Sequence, residues 1–236
     1  MPALAFGHPG THDPQLCPDN MYLPCSYEQR EVPEYFSDDA TDGVVWQPDV
    51  YGRVAEFAAM QSNRSVIDLG CGRAGKLASL AADHPDWSFI GVDYGPNITW
   101  CASNLEFGRW IEADLESDAQ LPIDPDEAAG AIVVCSDVLE HLVHPDAAFE
   151  HIRRLLVAGA ALAVLSTPAR EKRAGLEHPG PPGNTAHVRE WASPEFHAYV
   201  RSRGLKIDEA TLTRSDDSGG GLTTQLVVVS ISRSAR

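Results

Sequence analysis

Short apolar runs alternate with stretches of helical periodicity along most of this chain, beginning near residue 48. Val50, Val54, Phe57 and Ala58 recur at helical spacing behind Pro48, and Ser62-Asn63 closes that segment. The pattern predicts strands over 65–69, 88–92, 109–113, 130–135, 160–166, 205–213 and 222–230, and helices over 75–82, 97–105, 146–157 and 193–203. Strands separated by helices form a mostly parallel sheet covered on both faces. The last two strands differ, because only the polar, glycine-rich link 215–221 joins them, which suits a hairpin. A long loop follows the fifth strand, where 168–186 holds Pro179, Gly180, Pro181, Pro182 and Gly183, and loops of that length commonly carry function. Residues 1–45 lack sustained periodicity and read as an irregular arm before a domain spanning 46–236. Two placements suit the aromatic residues Tyr22, Tyr27, Tyr35, Phe36 and Trp46: over a ligand mouth as a lid, or packed on the core surface.

The first predicted strand runs into glycines, as Val66-Ile67-Asp68-Leu69-Gly70-Cys71-Gly72-Arg73-Ala74-Gly75. Gly70, Gly72 and Gly75 satisfy the G-x-G-x-x-G spacing of dinucleotide-binding folds, so spacing alone leaves a nicotinamide-type oxidoreductase open. Asp68 argues for a different ligand, since a carboxylate at the mouth of the turn repels a pyrophosphate and attracts an ammonium. S-adenosylmethionine carries such an ammonium. The second strand ends in Asp93, followed by Tyr94, where an acid accepts hydrogen bonds from ribose hydroxyls. The third closes on Asp114-Leu115, placed to face an adenine amino group, and the fourth on Cys135-Ser136. With these motifs, roughly residues 45–230 resemble the class I S-adenosylmethionine-dependent methyltransferases. The resemblance implies a doubly wound, Rossmann-like seven-stranded sheet in the order 3-2-1-4-5-7-6 with its last strand antiparallel. It implies S-adenosylmethionine as cofactor and Asp68, Gly70, Cys71, Gly72, Asp93, Tyr94, Asp114, Leu115 and Ser136 as its contacts. Ala74 stands where many members carry glycine, a mild departure because Gly75 follows.

Ligands of open α/β sheets lie beyond the carboxyl ends of the strands, which directs attention to Ser136-Asp137-Val138-Leu139-Glu140-His141. A helical turn beginning near Asp137 places Asp137, Glu140 and His141 at i, i+3 and i+4, hence on one face. Two carboxylates and an imidazole suit a divalent cation such as Mg²⁺ or Mn²⁺. The later His187-Val188-Arg189-Glu190-Trp191 adds a second histidine from beyond the long loop. Asp-x-x-Glu-His with a later His-x-x-Glu-Trp resembles metal-dependent 2′-O-methyltransferases of small-RNA ends, whose matching acids and histidines hold the metal. It also resembles small-molecule and sugar methyltransferases without a settled metal role. Two chemistries therefore stay open: a metal at Asp137, Glu140, His141 and His187, or catalysis without metal by Glu140, His141 and His187, with an imidazole as general base. The arm segment from Tyr22 through Trp46-Gln47-Pro48-Asp49-Val50-Tyr51 resembles the front end of bacterial methyltransferases found with glycan-assembly enzymes, which implies a sugar or glycosylated acceptor.

Composition narrows the partners. The 18 basic and 34 acidic residues give a net charge of −16, which opposes a nucleic-acid polyanion as main partner. A small or neutral acceptor fits better. Five scattered cysteines, an odd number, lead to the expectation of reduced thiols and a cytoplasmic location. His8, His12, Cys17 and Cys25 match no familiar zinc spacing. No apolar run is long enough for a membrane span, and Met1 opens no signal-like segment. A scaffold that keeps the fold without catalysis remains the alternative of a different class. The sequence leaves the oligomeric state open.

Overall fold

The computed structural model describes residues 16–36, 38 and 44–232. After a short 3₁₀ turn at Pro18–Asn20 come α1 (Pro48–Ala59), β1 (Ser65–Leu69), α2 (Gly75–Asp83), β2 (Ser88–Asp93), α3 (Pro96–Asn104) and β3 (Arg109–Glu112). The chain continues through α4 (Pro125–Ala128), β4 (Ile132–Ser136), α5 (Asp146–Ala158), β5 (Leu162–Pro168), α6 (Arg170–Arg173), α7 (Ser193–Ser202), β6 (Lys206–Arg214) and β7 (Leu222–Ser230). All seven strands join one sheet in the order β3-β2-β1-β4-β5-β7-β6, as the family resemblance implies. β1, β2, β3, β4 and β5 pair in parallel, whereas β7 runs antiparallel to both β5 and β6. Every residue of β1 and β4 is buried, the signature of central strands covered on both faces.

Sequence signals explain most element ends. Pro48 and Pro96 sit in first turns, where a missing N–H costs nothing. Gly159 at φ 123° stops α5. α4 escapes periodicity because four residues span about one turn, yet its capping box is explicit: Asp124 caps Glu127, whose carboxylate accepts the Asp124 N–H at 2.8 Å. α6 is equally short and lies inside the segment read as loop.

Two apolar layers flank the sheet. One gathers Leu139, Phe149, Trp191, Phe196 and Tyr199, and the other Val50, Val54, Leu77, Ile98 and Cys101. The described part of the arm is not detached from this core: Leu23 is wholly buried and Tyr27 nearly so, both within the first layer. The arm is bound by backbone pairs to the long loop and the segment just after it, including Glu28 N–H to Pro179 O at 2.7 Å and Arg30 N–H to Val188 O at 2.8 Å. All five cysteines are free, and His8 and His12 lie outside the described residues. No helix among the described residues is long and apolar enough to cross a membrane.

Candidate active site

β1 pairs with β2 on one side and β4 on the other, so the crossovers diverge there and leave a crevice at the carboxyl ends of β1 and β4. The glycine turn after β1 and the turn after β4 meet across it. Gly70, at φ 81°, lies so close to Val138 that an added Cβ would overlap the valine side chain. Gly72, at φ 57°, lies under the arm's Asp38, whose Oδ2 would stand 2.6 Å from such a Cβ. Asp38 Oδ2 also accepts the Arg73 N–H at 2.9 Å. Both glycines thus combine left-handed backbone with close approach, the two conditions that exclude a side chain.

Asp68 is buried beneath this turn. Tyr51 of α1 donates its hydroxyl to Asp68 Oδ2 at 2.6 Å, while Oδ1 is buried and accepts no hydrogen bond. Burial raises the carboxyl to about 6 against the Tyr51 bond and the Lys76 charge, which pull it down. An unsatisfied carboxylate oxygen at the switch-point crevice is what an ammonium-bearing cofactor would use. Asp93 ends β2 with Oδ2 accepting the Gly72 N–H and Oδ1 the Tyr94 N–H, each at 2.7 Å. Each oxygen keeps a second lone pair for a ribose hydroxyl. Cys71 is buried, and its thiol lies 3.6 Å from Gly72 O.

The other expected contacts are more local. Asp114 is exposed and caps its own loop, Oδ1 accepting the Glu116 N–H at 2.9 Å. Leu115 is core. Ser136 donates to Gln47 Oε1 at 3.1 Å and accepts from Ser166 Oγ at 2.8 Å, in a buried polar knot that ties α1 to β4 and β5.

Beyond β4 the structure corrects one expectation. Asp137 adopts φ 61°, and 138–141 forms a tight turn closed by His141 N–H on Val138 O at 2.9 Å, rather than the first turn of a helix. Left-handed backbone at Asp137 removes the i, i+3, i+4 face, so the four expected ligands do not form one set. Glu140, His141 and His187 do converge, with ligand atoms within 4.8 Å of one another. Asp137 instead stands beside Glu140, and its carboxyl is lowered: burial is outweighed by a hydrogen bond with Glu140 and by Lys76, His141 and His187. Glu140 is driven upward by burial and then by the Asp137 charge. Its Oε2 accepts the Thr167 hydroxyl at 3.0 Å, whereas buried Oε1 accepts no hydrogen bond.

Both imidazoles are set by the 184–190 segment. His141 Nδ1 lies 3.0 Å from Ala186 O and donates to it, so Nε2 carries the lone pair. Burial lowers His141 to about 4, aided by His187. The two rings meet edge-on at 4.7 Å, and Phe36 of the arm stands 5.5 Å from His141 with half its surface exposed. One neutral imidazole with an open nitrogen, a second beside it and a carboxylate oxygen without a partner can hold a divalent cation or take a proton. Tyr51, Asp38, Thr167 and Asn184 enter the site through tertiary contacts only; the local sequence around each resembles ordinary helix, strand or loop.

A family model described as a methyltransferase domain matches residues 47–210, which includes β1 and its glycine turn. The chain belongs to this methyltransferase family. It is an S-adenosylmethionine-dependent methyltransferase, and the oxidoreductase reading ends here. Among solved structures, this methyltransferase is similar to the small RNA methyltransferase HEN1 at 21% identity and TM-score 0.58, covering 87% of this chain and 27% of HEN1. It is similar to the glycopeptide N-methyltransferase MtfA at 16% identity and TM-score 0.57, covering 85% and 92%. The O-methyltransferase NcsB1 of neocarzinostatin biosynthesis follows at 19% identity and TM-score 0.54, covering 77% and 52%. The methyltransferase thus spans about a quarter of HEN1 and half of NcsB1, and at such identities the likeness is one of fold. No curated protein sequence matches it at a significant level.

Proposed function

We propose that this methyltransferase O-methylates a hydroxyl of a small acceptor, a sugar or glycosylated metabolite, in the cytoplasm. One observation carries the reading: Glu140, His141 and His187 converge beside the crevice that Asp68 and the glycine turn open. In it, Asp68 Oδ1 would hold the cofactor ammonium, the Gly70-Cys71-Gly72 backbone would give the cofactor room, and Asp93 would hold the ribose, with Tyr94, Asp114, Leu115 and Ser136 as the further candidate contacts. The cofactor supplies an electrophilic methyl. The protein's own residues align the acceptor hydroxyl, and His141 Nε2 receives its proton; most of the rate enhancement comes from positioning. The low proton affinity of His141 keeps it unprotonated at neutral pH. Alternatively, Glu140 Oε1, His141 and His187 fit a Mg²⁺ or Mn²⁺ ion, which would take the His141 Nε2 lone pair in place of the proton, lower the acceptor's pKa and chelate a vicinal diol. Tyr35, whose hydroxyl donates to Tyr94 O at 3.1 Å, and Phe36 then cover the mouth as a lid.

A second reading, methylation of an RNA 2′-hydroxyl, is supported by the same acid–histidine cluster and by the fold likeness to HEN1. The net charge of −16 opposes it. Screening vicinal-diol sugars, catechols and a short RNA duplex with labelled S-adenosylmethionine, with and without exhaustive chelation, separates them. Labelled sugar or catechol supports the first reading. Label confined to RNA overturns it, and activity that survives chelation leaves His141 as base without the ion.

A further inference from the structure

His187 is held at both ring nitrogens, unlike His141. Nδ1 lies 2.7 Å from Glu190 Oε1, with both groups buried, and Nε2 lies 3.0 Å from Asn184 Nδ2. The amide's orientation is fixed, because Asn184 Oδ1 accepts the Ala186 N–H at 3.0 Å and so turns the NH₂ toward the ring. One tautomer satisfies both neighbours. The proton resides on Nδ1 and is donated to Glu190, while the Nε2 lone pair accepts from Asn184.

These neighbours act on that lone pair in opposite senses. A carboxylate behind an imidazole orients the ring and makes the far nitrogen a better ligand. An amide N–H on the far nitrogen occupies the electron pair that a cation needs. We propose that Glu190 and Asn184 are opposed positioning residues for His187: Glu190 creates the ligating nitrogen, and Asn184 caps it until a divalent cation displaces the amide. The inference rests on reading Glu140, His141 and His187 as a cation site, and it adds a built-in competitor to that site.

Mn²⁺ binding to the full chain, followed by electron paramagnetic resonance without acceptor, tests it together with ¹⁵N spectra of the histidine rings. Glu190→Ala should weaken Mn²⁺ binding about 10- to 100-fold, with Glu190→Gln, which keeps an acceptor oxygen, partly restoring it. Asn184→Ser still reaches the Ala186 N–H in a serine turn but is too short to reach His187. It should bind Mn²⁺ about fivefold more tightly, the scale of one neutral hydrogen bond. Ion-free spectra should show the Nδ1–H tautomer of His187 in the wild type and a mixture in Glu190→Ala. An unchanged tautomer in Glu190→Ala overturns the role of Glu190 while leaving the cation site standing. A wild type that binds no Mn²⁺ overturns the cation reading, and with it Asn184 as competitor. Asn184→Ser binding no tighter than wild type overturns the competitor alone.

Discussion

At Asp68 a carboxylate meets burial and one phenol, with one oxygen left unsatisfied. Its folded pKa of about 6 lies above its ordinary value of 3.8, so the native state holds the proton longer than the unfolded chain does. Its contribution to stability is therefore present below the ordinary value and lost as pH rises toward 6. Thermal unfolding of the ligand-free protein across that window should show the decline. Binding runs the other way, because an ammonium requires the ionised carboxylate: calorimetric affinity for S-adenosylhomocysteine should rise from pH 5 to 7 and level off. Asp68→Asn should flatten the profile and cost about 1–3 kcal/mol of binding, the scale of a charged hydrogen bond. A profile unchanged in that variant removes Asp68 from the ligand. Gly70 gives a steric test, since Gly70→Ala meets Val138 from a left-handed backbone. It should destabilise by about 1–3 kcal/mol, and Val138→Ala should recover part of that loss in the double variant.

Elements built on periodicity are legible in the sequence: seven strands, the longer helices α1, α2, α3, α5 and α7 and the closing hairpin lie where alternation and turn residues place them, whereas the four-residue helices α4 and α6 are too short to show a period. The turn after β4 is not legible either. Asp137, Glu140 and His141 have helical spacing, but the backbone hand at Asp137 is decided by packing against Ser166, whose carbonyl accepts the Asp137 N–H at 3.1 Å. Spacing proposes Asp137, Glu140 and His141, of which two join His187 in the cluster, while the place of Asp137 depends on a dihedral that no local pattern encodes. The arm is legible only in part, because aromatic content does not separate lid from core. Leu23 and Tyr27 face the core, whereas Tyr35 and Phe36 remain exposed near the site. Leu23→Ala should accordingly cost about 2–5 kcal/mol of stability in denaturant titration. Phe36→Ala should leave stability nearly unchanged and raise KM for the acceptor; an unaltered KM removes Phe36 from the lid.

For the whole molecule, charge and topology set complementary limits. The switch point between β1 and β4 brings the glycine turn, the acid–histidine cluster and the arm to one end of the sheet. The excess of acidic side chains raises the cost of bringing a polyanion there, so a short RNA duplex should show no retention in a gel shift at physiological salt. Tight RNA binding would reverse the preference for a small acceptor. The central claim is that the Asp68 crevice and the Glu140–His141–His187 cluster form one active site. A crystal structure with S-adenosylhomocysteine and Mn²⁺, recorded at the manganese edge, tests it most directly. The ligand's ammonium should lie on Asp68 Oδ1, its ribose on Asp93 and its sulfur toward His141, with an anomalous peak among Glu140, His141 and His187. A ligand bound elsewhere, or one whose sulfur faces away from the histidines, would contradict it.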